Sequence, residues 1–227
     1  MAIEKVDIAK AATRLVQPFQ MTHLGYVDDF TVSVFVCQGT IAWHRHIDED
    51  ELFLVHSGVI TLESEWGNTR LSPDEMAVVP KGVAHRSSSF LRSTVLLFQP
   101  RVMSHRKNGD RRTITPAKGK SLHKVSVARA AQLLTERFKP LDLVAVEDCV
   151  MRLALIQGAF SWHRHSSCDE LFLIFEGEMT LDTEGRNVSL TAGEMVIVPK
   201  GMLHRPTASE RAIVLLFEKK ALISTGD

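Results

Sequence analysis

The chain carries one arrangement of side chains twice. Trp43-His44-Arg45-His46 is followed by Glu51, Gly58 and Pro80-Lys81-Gly82-Val83-Ala84-His85. Trp162-His163-Arg164-His165 is followed by Glu170, Gly177 and Pro199-Lys200-Gly201-Met202-Leu203-His204. Every pair is separated by 119 positions, and the same shift aligns Lys5 with Lys124, Phe19 with Phe138, Glu75-Met76 with Glu194-Met195 and Leu96-Leu97-Phe98 with Leu215-Leu216-Phe217, without a gap. Solenoid repeats run to roughly 20–50 residues, so a repeat of this length is a folding unit and not a stacked layer. The reading places a first domain at 1–100, a linker at 101–123 and a second domain at 124–227. The linker is where Lys107-Asn108-Gly109-Asp110 and Pro116-Ala117-Lys118-Gly119-Lys120 gather charge and turn formers.

Composition narrows the partners. Lys plus Arg equals Asp plus Glu at 27 each, so no net field draws the chain onto nucleic acid. The basic stretch Arg101 to Lys120, with Arg106, Lys107, Arg111 and Arg112, reads as a solvated linker, because neither an aromatic platform nor a recognition-helix pattern accompanies it. No apolar run is long enough to span a bilayer, and Met1 to Lys10 lacks the apolar block of a signal peptide. Three cysteines, Cys37, Cys149 and Cys168, are too few and odd in number for a disulfide framework. These features lead to the expectation of a cytoplasmic protein without nucleic-acid or membrane partners.

Within each copy the apolar spacing is that of strands. Thr31 to Cys37 alternates, with Val32, Val34 and Val36 on one side, and Leu52–Val55, Val59–Leu62, Met76–Val79 and Thr94–Phe98 are short runs of β-formers. Gly39, Gly58, Gly67-Asn68, Pro73-Asp74 and Lys81-Gly82 punctuate them as turns. One exception opens each copy: Asp7 to Val16 spaces Ile8, Ala11, Ala12 and Leu15 as a helix behind an Asp7 cap, and Ser126 to Leu134 repeats it. Many short strands with regular turns predict an all-β chain of closed or two-sheet antiparallel barrels, which leave few exposed edges.

The repeated polar residues have metal-ligand spacing. His44 and His46 are two apart on a strand and leave the same face. Glu51, five residues on, reaches that face only if Ile47-Asp48-Glu49-Asp50 is a turn or bulge. Pro80-Lys81-Gly82 delivers His85 to the start of another strand. The second copy does the same with His163, His165, Glu170 and His204, its turn being Ser166-Ser167-Cys168-Asp169. Three imidazoles and a carboxylate suit Fe, Mn, Ni, Co or Zn as divalent ions, up to two per chain, with coordination positions left open for chemistry. Glu51 and Glu170 are the candidate catalytic carboxylates, either remaining bound or detaching to act as a base.

The pattern His-x-His-x4-Glu-x6-Gly, then Pro-x-Gly-x2-His, resembles the two motifs of the cupin superfamily, and its duplication resembles a bicupin. The likeness covers both copies and nearly all the chain outside the linker. It implies two tandem jelly-roll barrels of the double-stranded β-helix kind, each preceded by a short helix. Cupins include dioxygenases, sugar isomerases and epimerases, decarboxylases, lyases, seed-storage proteins and sensory domains, so the motifs specify fold and metal site far better than substrate. Two departures touch turns and not ligands: Asp74 stands where the second motif usually has the Gly that Gly193 keeps, and Ser89 and Ala208 stand where it often ends in Asn.

The resemblance implies a metal-dependent enzyme acting on a small oxygen-rich metabolite, with dioxygenase-type oxidation ranked before sugar isomerisation. The alternative is a non-catalytic cupin that binds a metal or small ligand as a sensor or store. The assembly is expected to be a monomer with pseudo-two-fold symmetry or a homodimer.

Weaker candidates surround the site. Counting pleats puts Phe53 and Val55, with Phe172 and Ile174, inside the barrels, either lining a substrate pocket or simply filling the core. Arg152, paired with Ser33, is either a clamp for a substrate carboxylate or phosphate or a solvated arginine. Cys168 in the second ligand turn is either a reactive thiol or a bystander. Trp43 and Trp162 face away from the pocket by alternation, as do Arg45 and Arg164, which are expected to form salt bridges. His23, His56, His105 and His123 have no histidine counterpart and read as surface or loop residues.

Overall fold

The short alternating runs form strands in both copies. The structure, a computed structural model, describes residues 3–103, 120–222 and 226, together with the backbone of 106–108. Of the basic stretch, Arg111 and Arg112 lie outside the described residues, as does His105. The first copy contains β1 (Val6–Asp7), α1 (Ile8–Thr13), β2 (Met21–Val27), β3 (Phe30–Thr40), β4 (His44–His46), β5 (Glu51–Ser57), β6 (Ile60–Ser64), β7 (Gly67–Leu71), β8 (Glu75–Val79), β9 (His85–Pro100) and β10 (Arg106–Asn108). The second contains β11 (Lys124–Ser126), α2 (Val127–Ala131), β12 (Leu141–Val146), β13 (Cys149–Ala159), β14 (Glu170–Glu176), β15 (Glu178–Thr183), β16 (Val188–Thr191), β17 (Glu194–Val198) and β18 (His204–Lys219). No helix among the described residues is long and apolar enough to cross a membrane.

One long antiparallel strand organises each barrel. In the first, β9 pairs with β3 from Phe30↔Pro100 to Thr40↔Ser88, and with β5 from Leu52↔Phe98 to Ser57↔Thr94. Its opening half pairs with β6, from Thr61↔Ser88 to Ser64↔His85. Register shifts at Val55/Ser57 and Cys37/Gly39 accommodate the bend that lets one strand serve both halves. The second barrel repeats this, β18 pairing with β13, β14 and β15. Gly58 and Gly177 sit where the hairpin crosses that bend. Their φ values are +79° and +84°, and a Cβ would lie 2.8 Å from the Ser93 Cα or 2.6 Å from the Arg211 carbonyl oxygen, so no side chain fits. The Gly-to-Asp departure is tolerated because Asp74, at φ 62°, keeps the left-handed backbone of Gly193, at 84°; aspartate is among the residues that enter this region most readily. Phe35, Phe53, Leu62, Leu71 and Val95 pack one core, and Phe172, Leu181, Leu190, Val196 and Val214 the other.

The helices are shorter than their apolar spacing predicts. Past Thr13 the backbone tightens into three-residue turns, Arg14 N–H bonding Ala11 O at 3.3 Å and Leu15 N–H bonding Ala12 O at 3.1 Å. Asp7, expected as a cap, lies instead in β1, a strand that the sequence does not announce.

The expected boundaries at 100 and 124 differ from the compact units. One unit is Lys10–Val127; the other is Ala128 onward together with the residues up to Ala9. The reason is an exchange of opening strands. β1 pairs with β17, Val6↔Met195 and Asp7↔Glu194. β11 pairs with β8, Val125↔Met76 and Ser126↔Glu75. Lys5 Nζ meets Glu194 Oε1 at 2.8 Å, Lys124 Nζ meets Glu75 Oε2 at 2.9 Å, and Ile3 and Leu122 enter the cores of the units their arms join. Each arm thus completes the barrel written by the other copy.

Candidate metal centres

Strand pairing and one turn bring each quartet together. His44 lies opposite His85 across β4 and β9, and His163 opposite His204. The Pro-Lys-Gly turn is fastened to the loop before the glutamate: Lys81 N–H donates to Asp50 Oδ1 at 2.8 Å and Gly82 N–H to His46 O at 2.6 Å. In the second copy Lys200 N–H donates to Asp169 Oδ1 at 2.9 Å and Gly201 N–H to His165 O at 2.7 Å. His44, His46, Glu51 and His85 converge with their ligand atoms within 4.8 Å of one another, as do His163, His165, Glu170 and His204.

Hydrogen bonding sets which nitrogen faces inward. Nδ1 of His44 lies 2.9 Å from Ala42 O and that of His85 3.0 Å from Val83 O. His163 and His204 make the same contact with Ser161 O at 3.0 Å and Met202 O at 2.9 Å. A carbonyl has no proton to give, so Nδ1 carries the hydrogen and the Nε2 lone pair points into the cluster. His85 Nε2 then meets Glu51 Oε2 at 2.9 Å and His46 Nε2 meets it at 3.2 Å; around Glu170 Oε2 the distances are 3.2 Å to His204 and 3.4 Å to His165. Converging acceptors repel unless a cation or proton lies among them. Glu51 Oε2, His85 Nε2 and His165 Nε2 are buried without a hydrogen-bond partner. The donor set, three nitrogens and one oxygen, fits a divalent transition ion. Burial pushes the Glu51 carboxyl up, but where His46 and His85 bring a proton on Nε2 their contacts outweigh this and hold it well below the usual carboxylate range. Glu170 is lowered by the same balance against His165 and His204, and burial followed by the nearby His204 lowers the His163 imidazole.

The two centres differ in the space around them. A cavity of about 340 Å³ adjoins the first, walled by Phe19, Phe35, Ile41, Phe53 and Leu97 with Ser87 and Gln99 as its polar groups. Beside the second only about 30 Å³ remains, between Phe138, Phe160, Phe172 and Pro206, room for about a water molecule. Phe160 and Pro206 replace Ile41 and Ser87 at matching positions, and the Phe160 ring stands edge-on to His163 at 5.2 Å. Phe53 and Phe172 therefore line an open pocket in one copy and a filled one in the other.

Arg152 lines neither cavity, and it is not solvated either. Its guanidinium donates to Asp142 Oδ1 at 2.7 Å, Glu218 Oε1 at 2.5 Å and Lys220 O at 3.1 Å, which leaves no fork for a substrate anion. Cys168 is buried, as are Cys37 and Cys149. Among the described residues the ion pairs near the ligand strands belong to Arg86 and Arg205, not Arg45 and Arg164. Arg86 binds Glu63 at 2.7 Å and covers Trp43 at 5.0 Å; Arg205 binds Asp182 at 2.8 Å and covers Trp162 at 4.9 Å. His23 lies in β2, bonded to Ser33 Oγ at 2.9 Å. Gln99 and Glu218 escaped the sequence reading. A carboxylate directly after Leu215-Leu216-Phe217 is the signal that could have found Glu218, now 1% exposed and pushed up to about 8 by burial and then by Glu170.

The cupin domain profile matches residues 33–89 and 150–217, covering both motif pairs. The chain belongs to the cupin family. A curated relative, the uncharacterized protein YdbB of Bacillus subtilis strain 168, is 33% identical over 91 residues, 40% of this chain and 80% of that one. Among solved structures, a cupin 2 conserved barrel domain protein from Leptotrichia buccalis superposes with TM-score 0.75 at 12% identity, covering 97% and 98% of the two chains. Salicylate 1,2-dioxygenase from Pseudoaminobacter salicylatoxidans, as an adduct with gentisate, gives TM-score 0.77 at 12% identity, covering 96% and 81%. At such identities the structural likeness concerns the fold of this cupin.

Proposed function

We propose that this cupin is a divalent-metal-dependent enzyme whose N-terminal barrel oxidises a small, largely apolar compound bearing adjacent oxygens, with dioxygen as co-substrate. The observation that carries the reading is the 340 Å³ cavity with His44, His46, Glu51 and His85 in its wall, a volume within the ligand-pocket range of about 300–1,000 Å³. A divalent ion held there supplies a Lewis acid for substrate oxygens and open positions for oxygen chemistry. The residues around it do the rest. Three imidazoles present Nε2, those of His44 and His85 held in orientation by main-chain oxygens. Glu51, buried with its carboxylate among the three imidazoles, suits a permanent ligand better than a detaching base. Ser87 and Gln99 orient the substrate by hydrogen bonding, and the phenylalanines and Leu97 exclude water. The fold shared with a gentisate-binding dioxygenase supports the choice of reaction class. A sugar phosphate is disfavoured because no Arg or Lys is among the described lining residues.

The test is oxygen uptake by protein loaded with Fe(II) or Mn(II), offered diketones, dihydroxy-aromatics and keto acids. Uptake that His85→Ala abolishes is expected. No uptake with any of them, despite a bound metal, overturns the enzymatic reading in favour of a ligand-binding cupin.

A further inference from the structure

The two centres share their ligands but not the residues behind them. Where the first copy has His23, Ser33 and Gln99, the second has Asp142, Arg152 and Glu218. Asp142 lies opposite Arg152 across β12 and β13, and Arg152 reaches over to β18 to hold Glu218 Oε1 at 2.5 Å. The result is a charged chain running inward from Asp142, whose side chain is 66% exposed, to Glu218, whose side chain is 1% exposed. Its inner end reaches the cluster: β14 and β18 pair antiparallel with Leu171 opposite Phe217, which sets the next residues, Glu170 and Glu218, side by side, both buried, and Glu218 Oε2 has no hydrogen-bond partner. Two carboxyl groups side by side need either a shared proton or positive charge between them. Arg152 provides one, but its forks are taken up by Asp142, Glu218 and Lys220 O. The carboxyls of Asp142, Glu170 and Glu218 outnumber the one guanidinium, a deficit that a bound cation or a proton makes up, and His163 and His204, whose Nδ1 hydrogens face main-chain oxygens, add no charge when neutral.

We propose that Glu218 belongs to the C-terminal metal centre as a positioning residue, fixing the Glu170 carboxylate and raising that site's affinity for a divalent cation, with Arg152 and Asp142 holding it in place. The N-terminal centre, with neutral Gln99 at this position and a cavity beside it, binds its ion more weakly and keeps it accessible. The centres are thereby divided between retention and exchange. This rests on the metal-binding reading above.

The test is Mn2+ titration of the full chain, free Mn2+ being read by its electron paramagnetic resonance signal. A His85→Ala background leaves the C-terminal site to report alone. Removing a residue that orients a ligand typically weakens metal binding by about 10–100-fold, and that is the loss expected for Glu218→Gln. The converse, Gln99→Glu in a His204→Ala background, is expected to tighten the N-terminal site. An affinity for Glu218→Gln within twofold of its parent overturns the proposal and leaves a shared proton as the link between the carboxyls. A parent that binds neither Mn2+ nor Zn2+ overturns the metal reading itself, and this inference with it. If circular dichroism finds Glu218→Gln unfolded, the Gln99→Glu arm decides: a site no tighter than its parent's counts against the proposal.

Discussion

The exchanged arms make a counter-intuitive demand: a substitution at the third residue should weaken the C-terminal barrel. Ile3 is 5% exposed and sits in the core with Phe172, Leu181 and Val196. Ile3→Ala deletes three buried carbons. At about 0.8 kcal/mol each that is about 2.4 kcal/mol of transfer free energy, and incomplete collapse of the cavity lifts the usual range to about 2–5 kcal/mol. Ile3 reaches that core beside a strand of only two residues, β1, which can relax, and this places the expected loss near the lower end of the range, about 2–3 kcal/mol. Since about 1.4 kcal/mol is a tenfold change, the slowest-exchanging amides of the C-terminal core should exchange roughly 30- to 150-fold faster. Hydrogen exchange read by mass spectrometry on peptides from 149–159 and 204–219, against 30–40 and 85–100, locates the effect. Leu122→Ala should produce the mirror result in the N-terminal peptides. If Ile3→Ala loosened 30–40 and 85–100 while sparing 149–159, the pairing of Val6 with Met195 would be wrong.

Other expectations follow from the same contacts. Arg152→Leu leaves the buried Glu218 carboxyl, already pushed up by burial, to take up a proton without its partner and should cost about 1–3 kcal/mol in urea denaturation, much of it restored in Arg152→Leu/Glu218→Leu, because a buried pair can often be replaced by apolar residues without loss. Gly177→Ala forces a Cβ to within 2.6 Å of the Arg211 carbonyl at φ +84° and should destabilise by about 2 kcal/mol or more, whereas alanine at Gly185, where nothing lies within 4 Å, should not. Burial raises the Cys37 thiol to about 11, partly opposed by its hydrogen bond with Ser87. The folded state therefore holds its proton at pH values where the unfolded thiol has lost it, so stability falls as pH rises from about 9 through 11. Urea midpoints across that range should flatten in Cys37→Ala, and a thiol reagent at pH 8 should find no reactive cysteine before unfolding. Metal analysis of protein purified without added ions should give up to two per chain, with Glu51→Gln and Glu170→Gln each lowering the ratio.

What the sequence made legible was whatever the repeat wrote twice. The eight ligands, the glycines at 58 and 177, and the turns that deliver His85 and His204 were readable because a fixed offset reveals positions on which both copies agree. Features that depend on the difference between copies were harder. Ile41 against Phe160 and Ser87 against Pro206 decide which barrel keeps a cavity, yet each substitution alone is an ordinary one in a strand. Arg152 was visible as an anomaly opposite Ser33, but its partners Asp142 and Glu218 come from other strands, and only the register of β12, β13 and β18 brings them together. The arms were missed for another reason. A two-residue strand has no periodicity of its own, and Val6-Asp7 pairs with Met195 and Glu194 of the other copy, a separation over which local patterning carries no information.

The histidine orientations have a final consequence. Ala42, Val83, Ser161 and Met202 hold the Nδ1 protons of His44, His85, His163 and His204 through their main-chain oxygens, and no two of these four side chains are alike. Because every amino acid brings that oxygen, these neighbours are free to vary without disturbing the direction in which those four imidazoles present their lone pairs. Such a centre is armed by the path of the polypeptide before any ion arrives, so capture should be fast, limited by shedding of the ion's water and not by reorganisation of the chain.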